Sequence, residues 1–110
     1  MLPRINRITK KNDFDAVFKG GRTIRADFLI VKLLKNDLSV SRLGFVISKK
    51  ISTKAVVRNK IKRRLRSLFN KELYRITLPQ DIIVVTLPGI EKLDFARTEV
   101  AVKKIFKNNP

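Results

Sequence analysis

Asp81-Ile82-Ile83-Val84-Val85-Thr86-Leu87 is the stretch on which the fold turns. Alternate side chains of a strand point to opposite faces, and here both faces are apolar. Such a strand is a buried central one, covered on both sides. Upstream of it, Lys54 to about Leu73 is the longest helical pattern. Val57, Ile61, Leu65, Leu68 and Phe69 make one apolar stripe, and Leu78–Pro79 breaks the pattern. Downstream, Pro88–Gly89 is a turn and Asp94 caps a last helix with Phe95, Thr98, Val102, Ile105 and Phe106 as its inner face. Nearer the start, Phe28–Lys35 and Leu43–Ser48 are strand-length runs separated by Asn36–Asp37 turn chemistry, which predicts an antiparallel hairpin. Asn12–Phe18 reads as a short helix, N-capped by Asn12 and ended by Gly20–Gly21, with Phe14, Val17 and Phe18 on one face. The pattern is that of one small mixed α+β domain over residues 1–110, its helices packed on one sheet.

Composition narrows the function. Twenty-six Lys and Arg against nine Asp and Glu leave a formal charge of +17 on 110 residues, while 44% of the chain is hydrophobic. That apolar share separates it from a disordered basic tail. The absence of Cys excludes a disulfide scaffold, a zinc knuckle and a thiol nucleophile. The absence of His removes the Ser-His-Asp triad and the commonest acid–base group. No apolar run is long enough to span a membrane, and Leu2–Ile8 alternates where a secretory signal needs an unbroken stretch. A cytoplasmic protein is expected. So large a surplus opposes compaction and calls for a polyanionic partner.

The charge is concentrated. Between Asp37 and Glu72 lie thirty-four residues without a carboxylate, eleven of them Lys or Arg. In Ala55–Phe69 (AVVRNKIKRRLRSLF), Arg58, Lys62 and Arg66 fall on one line along a helix, with Asn59 and Arg63 on the next. The apolar stripe occupies much of the opposite side. Like charges at i, i+4 each cost about 0.2–0.5 kcal/mol in an isolated helix, and no glutamate offsets them. Arg suits phosphate because its planar fork pairs bidentately, and the Asn59 amide can bond a ribose hydroxyl, a base edge or the backbone.

Phe14 and Phe18 admit two readings, core residues or a stacking platform for unpaired bases beside Lys10, Lys11 and Lys19. Ser48-Lys49-Lys50 can line a phosphate path or end a strand in solvent. Helix capping accounts for Asp13 and Asp15 better than a paired-carboxylate site does. No catalytic constellation and no metal-ligand cluster is visible in the sequence.

At Arg42-Leu43-Gly44-Phe45-Val46-Ile47-Ser48-Lys49-Lys50, followed by Ala55-Val56-Val57-Arg58-Asn59-Lys60-Ile61-Lys62-Arg63-Arg64-Leu65-Arg66, a resemblance becomes specific. The chain resembles the protein subunit of bacterial ribonuclease P, whose signature is R-L-G, S-K-K, then A-V-x-R-N-x-x-K-R-x-x-R. Asp13-Phe14-x-x-Val17-Phe18-x-x-Gly21 is similar to the family's first helix. The resemblance covers nearly the whole chain. It implies an α-β-β-β-α-β-α order with a left-handed crossover between parallel strands, a hand that is disfavoured in general.

It also implies an accessory role in an endoribonuclease. In this family the RNA subunit is the catalyst, with magnesium held mainly by RNA, and the holoenzyme removes the 5′ leader of precursor tRNA to leave a 5′-phosphate. Arg58, Asn59, Lys62, Arg63 and Arg66 then contact the catalytic RNA. Lys10, Phe14, Phe18, Ser48, Lys49 and Lys50 then border the single-stranded leader. The protein supplies no catalytic residue and no metal ligand, and no protein partner or membrane is required. Two departures stand out. Ser52 replaces a usual Gly in a loop, Ile51–Lys54, that is one residue longer, and Val31 stands where some members have Tyr. The competing reading is a ribosomal or general RNA-binding protein with no role in cleavage. A protein-only nuclease and a DNA-binding helix are further alternatives.

Overall fold

The computed structural model describes residues 7–73 and 78–107. Most of the alternating Leu2–Ile8 stretch lies outside them. The element order is α1 (Lys11–Gly20), β1 (Arg22–Ala26), β2 (Leu29–Lys35), β3 (Arg42–Val46), α2 (Ala55–Glu72), β4 (Gln80–Thr86) and α3 (Phe95–Lys107). One four-stranded sheet has the order β1-β2-β4-β3. β4 is central and buried along both faces, pairing antiparallel with β2 and parallel with β3.

The two long runs before α2 therefore do not form a hairpin. β4 lies between them, with Ile82 opposite Leu33 on one side and Leu43 on the other. The connection 36–41 serves β4 instead: the Asn36 amide donates to an Asp81 carboxylate oxygen at 2.8 Å, and the Gln80 N–H donates to Ser41 Oγ at 3.1 Å. The hairpin that does form is β1–β2, across Asp27 and Phe28. β1 is an edge strand whose Arg22, Thr23 and Arg25 are exposed, and only Ile24 and Ala26 pack on the core, too short an alternation to stand out.

Alternation along the strands sorts the core into two. Leu29, Val31, Leu33, Leu43, Ile82 and Val84 face α2 and α3, and the ring of Phe69 meets Phe45 edge-on at 6.1 Å and Phe106 at 5.5 Å. Ile83 and the half-buried Leu34, Val46 and Val85 face the other way, beneath Ile8, Val17 and Phe14. Val31 is thus fully buried under α2 and α3. Its difference from a tyrosine concerns the core and not the α1 face.

Helix ends also differ from the sequence reading. α1 begins one residue earlier, with Lys10 at the N-cap position and Asn12 inside the helix. Gly21 closes it in extended backbone, its N–H donating to the Val17 carbonyl at 2.8 Å. α3 does start on Asp94, whose Oδ1 accepts the Arg97 N–H at 2.8 Å. Phe95 is 43% exposed, however, and the buried stripe runs from Thr98 through Ala101, Val102, Ile105 and Phe106.

Candidate nucleic-acid interface

α2 is anchored by Ile61, Leu65, Leu68 and Phe69, all buried, and this fixes which side faces out. On the outward side Val56, Asn59, Lys62, Arg63 and Arg66 line an open groove of about 440 Å³. Four of the five residues expected there by spacing come together. Among the described residues Lys62, Arg63 and Arg66 make no ion pair. The fifth, Arg58, is half-buried and turned back, its guanidinium donating to the Ser52 carbonyl at 2.9 Å. Ser52 also accepts the Lys54 N–H on its Oγ at 3.2 Å, so the unusual serine and the arginine together hold the loop that starts α2. Arg64 points toward α3 and donates to the Leu93 carbonyl at 3.3 Å.

On the opposite sheet face, α1 divides its three apolar residues. Val17 is fully buried, Phe14 is half-buried and Phe18 is 42% exposed. The Phe14 ring lies so close over β3 that a Cβ on Gly44 would stand 2.9 Å from its Cζ. The glycine of the R-L-G motif therefore exists to admit that ring. The arginine of the same motif is structural. Arg42 Nη2 and Nε donate to the two Asp81 carboxylate oxygens at 2.6 and 2.8 Å, and Nη1 reaches Asp13 at 3.3 Å. The hydrogen bonds to Asp81 push the Arg42 pKa above its ordinary value, against the opposing effect of burial. Lys10 is exposed just before α1. Ser48, Lys49 and Lys50 form a turn past the end of β3, closed by the Ile51 N–H on the Ser48 carbonyl at 3.1 Å, next to the start of α2.

Phe14 and the α2 cations, read separately from sequence, are neighbours. Lys62 and Arg66 also line a second, smaller slot with Phe14, Gly44 and Arg7. Arg7 and the 77%-exposed Val56 carry no periodic signal. Their positions emerge only when the chain folds across β3 and α2.

As for a cation on the protein, Asp13 and Asp81 both accept from Arg42, and among the described residues no three carboxylates gather. No helix among the described residues is long and apolar enough to cross a membrane.

The sequence profile of the family described as Ribonuclease P matches residues 2–109. A ribonuclease P protein component from Caldanaerobacter subterraneus is 30% identical over 110 residues, covering 100% of this chain and 94% of its own length. One from Legionella pneumophila is 42% identical over 90 residues, covering 81% and 75%. The solved structure of the Staphylococcus aureus RNase P protein superposes with a TM-score of 0.85 at 31% identity, covering 93% of each chain. That of Thermotoga maritima gives 0.83 at 29% identity, covering 94% and 97%. Motif, fold and likeness agree over the same residues, and the chain belongs to the ribonuclease P protein family.

Proposed function

We propose that the chain acts in the cytoplasm as the protein subunit of a ribonuclease P ribonucleoprotein. In this reading the α2 groove binds the catalytic RNA, and the face around Phe14 and Phe18 borders the single-stranded 5′ leader of precursor tRNA. The observation that carries it is the groove lined by Asn59 and by Lys62, Arg63 and Arg66, cations that make no ion pair among the described residues, on a helix anchored by a buried stripe on its other side. Two RNAs brought together repel, and a cation-rich wedge touching both lowers that repulsion and the magnesium needed to overcome it. The magnesium of this reading is held by RNA, so cleavage of the phosphodiester needs no group from the protein. Half-exposed phenylalanines stack on bases with little sequence preference, which suits leaders that differ.

Reconstitution tests it. The protein is mixed with a ribonuclease P RNA and a precursor tRNA at roughly a few millimolar magnesium, where repulsion is least screened. The mature 5′ end should appear only with both components; equal binding to any RNA, with no gain in cleavage, would make this a general RNA-binding protein. Arg63→Ala should then weaken binding of the catalytic RNA while sparing precursor binding by preassembled holoenzyme. Phe14→Ala should do the reverse, by about 1–3 kcal/mol per lost stack. Equal losses in both assays, with unchanged melting, would contradict this division.

A further inference from the structure

β3 is an edge of the sheet, and on its outer side Arg7 bridges to Leu43 in parallel, with the Ile8 N–H on the Leu43 carbonyl at 2.8 Å. The α1 face and the α2 face meet around this edge. A slot of about 190 Å³ opens there, walled by Arg7, Phe14, Gly44, Phe45, Lys62 and Arg66. Three of its lining residues are cationic and none is acidic. The Nε atoms of Arg7 and Arg66 are buried and have no hydrogen-bond partner among the described residues. Neighbouring guanidiniums are satisfied: Arg42 by Asp81, Arg58 by Ser52, Arg64 by Leu93. Buried donors are almost always bonded, so two orphans lining one small cationic slot mark an absent acceptor.

We propose that this slot binds a single backbone phosphate of an RNA strand that rounds the β3 edge between the α1 and α2 faces. Arg7 and Arg66 donate to its oxygens, Lys62 adds charge, and the rings of Phe14 and Phe45 flank the adjoining nucleotide. A fork of N–H donors suits a phosphate, and the slot is too small for a duplex. The assignment rests on the ribonuclease P reading and deepens it: Arg7 becomes a binding residue, and Lys62 and Arg66 serve both faces.

The test counts phosphates. Salt dependence of binding is measured for wild type, Arg7→Gln, Arg66→Gln and the double variant, on ribonuclease P RNA and on precursor tRNA bound by holoenzyme. On one of these RNAs the double variant should lower the log–log salt slope by about 0.7, which shrinks the affinity lost between 50 and 200 mM salt by about 2.6-fold. Each single variant should lower it by much less than half of that, because the remaining arginine still pairs with the same phosphate. Which RNA responds identifies the strand. Slopes that fall additively, or do not fall on either RNA, overturn the slot. Failure of the wider reading looks different: wild type then shows no preference for ribonuclease P RNA. A variant that fails to fold is replaced by direct observation of the wild type, in which the Nε–H resonances of Arg7 and Arg66 should shift together as a short single-stranded oligoribonucleotide is added. Shifts at Arg63 alone would again overturn the slot.

Discussion

α2 and α3 lie on the same face of the sheet and share one core through Phe69 and Phe106, but their exposed sides are built differently. α3 is capped by a side chain, although its first turn holds no acid. Asp94 caps its first turn, Thr98 Oγ1 donates back to the Asp94 carbonyl at 2.8 Å, and Lys104 and Lys107 sit in the last turn, where positive charge suits the helix dipole. α2 is built otherwise. Lys54 stands at its N-cap position without a side-chain cap, and its one carboxylate, Glu72, comes at the end, where it opposes the helix dipole. α2 therefore owes its helicity to its buried stripe, and its outer side is free to hold charge that local stability opposes. That is the arrangement a polyanion-binding helix needs, since the missing counter-charge arrives with the partner.

The dependence on the buried stripe is the most sensitive point of the comparison. Phe69→Ala removes a fully buried ring that touches both β3 and α3, and should cost about 3–5 kcal/mol in denaturant unfolding. A loss below about 1 kcal/mol would mean that α2 stands on its own propensities. The next effect comes from exchanging the caps. Asp94→Ala should destabilise by about 0.5–2 kcal/mol and leave RNA affinity unchanged, because Asp94 serves the fold by starting α3. Lys54→Asp should do the opposite, stabilising by about 1 kcal/mol while weakening RNA binding, most strongly at low salt. If both changes moved stability alone, the charge at the start of α2 would have no part in binding.

These helices were legible because each carries an uninterrupted 3.6-residue apolar period, and β4 because it is apolar on both faces. Pairing was not legible. The hairpin expected for the runs before α2 assumes that neighbouring strands pair, whereas β4 offers two open sides and inserts between them, held by Asn36 and Ser41 from the connecting loop. β1 was signalled only by family resemblance, since an exposed edge needs few apolar residues. Helical spacing put Asn59, Lys62, Arg63 and Arg66 on one outward side of α2, and there they line one groove. It could not show that Arg58 turns to Ser52, that Arg42 is committed to Asp81, or that Arg7 returns to the α2 cations from the other end of the chain. Those outcomes depend on distances across the sheet, which no local period encodes.

The smallest predicted effect concerns an ion pair through which α3 reaches beyond its own core. Lys104 Nζ donates to the Asp27 carboxylate at 2.8 Å, tying the helix to the β1–β2 turn, with both side chains about half exposed. That hydrogen bond and the ammonium charge hold Asp27 below the usual carboxylate pKa. A carboxyl depressed in the folded state adds stability above its unfolded pKa, and that contribution is lost as pH falls through the folded value. The contribution is therefore present at neutral pH and disappears in acid. Lys104→Gln should return the Asp27 titration, followed by carboxyl NMR, to the ordinary carboxylate range, and added salt should do the same to the wild type by degrees. Because the pair is exposed, melting at neutral pH should barely move. An Asp27 titration unchanged by Lys104→Gln would show that the turn itself lowers the pKa. The ordered charge pairing that sets α3 apart from α2 would then end at its own first and last turns.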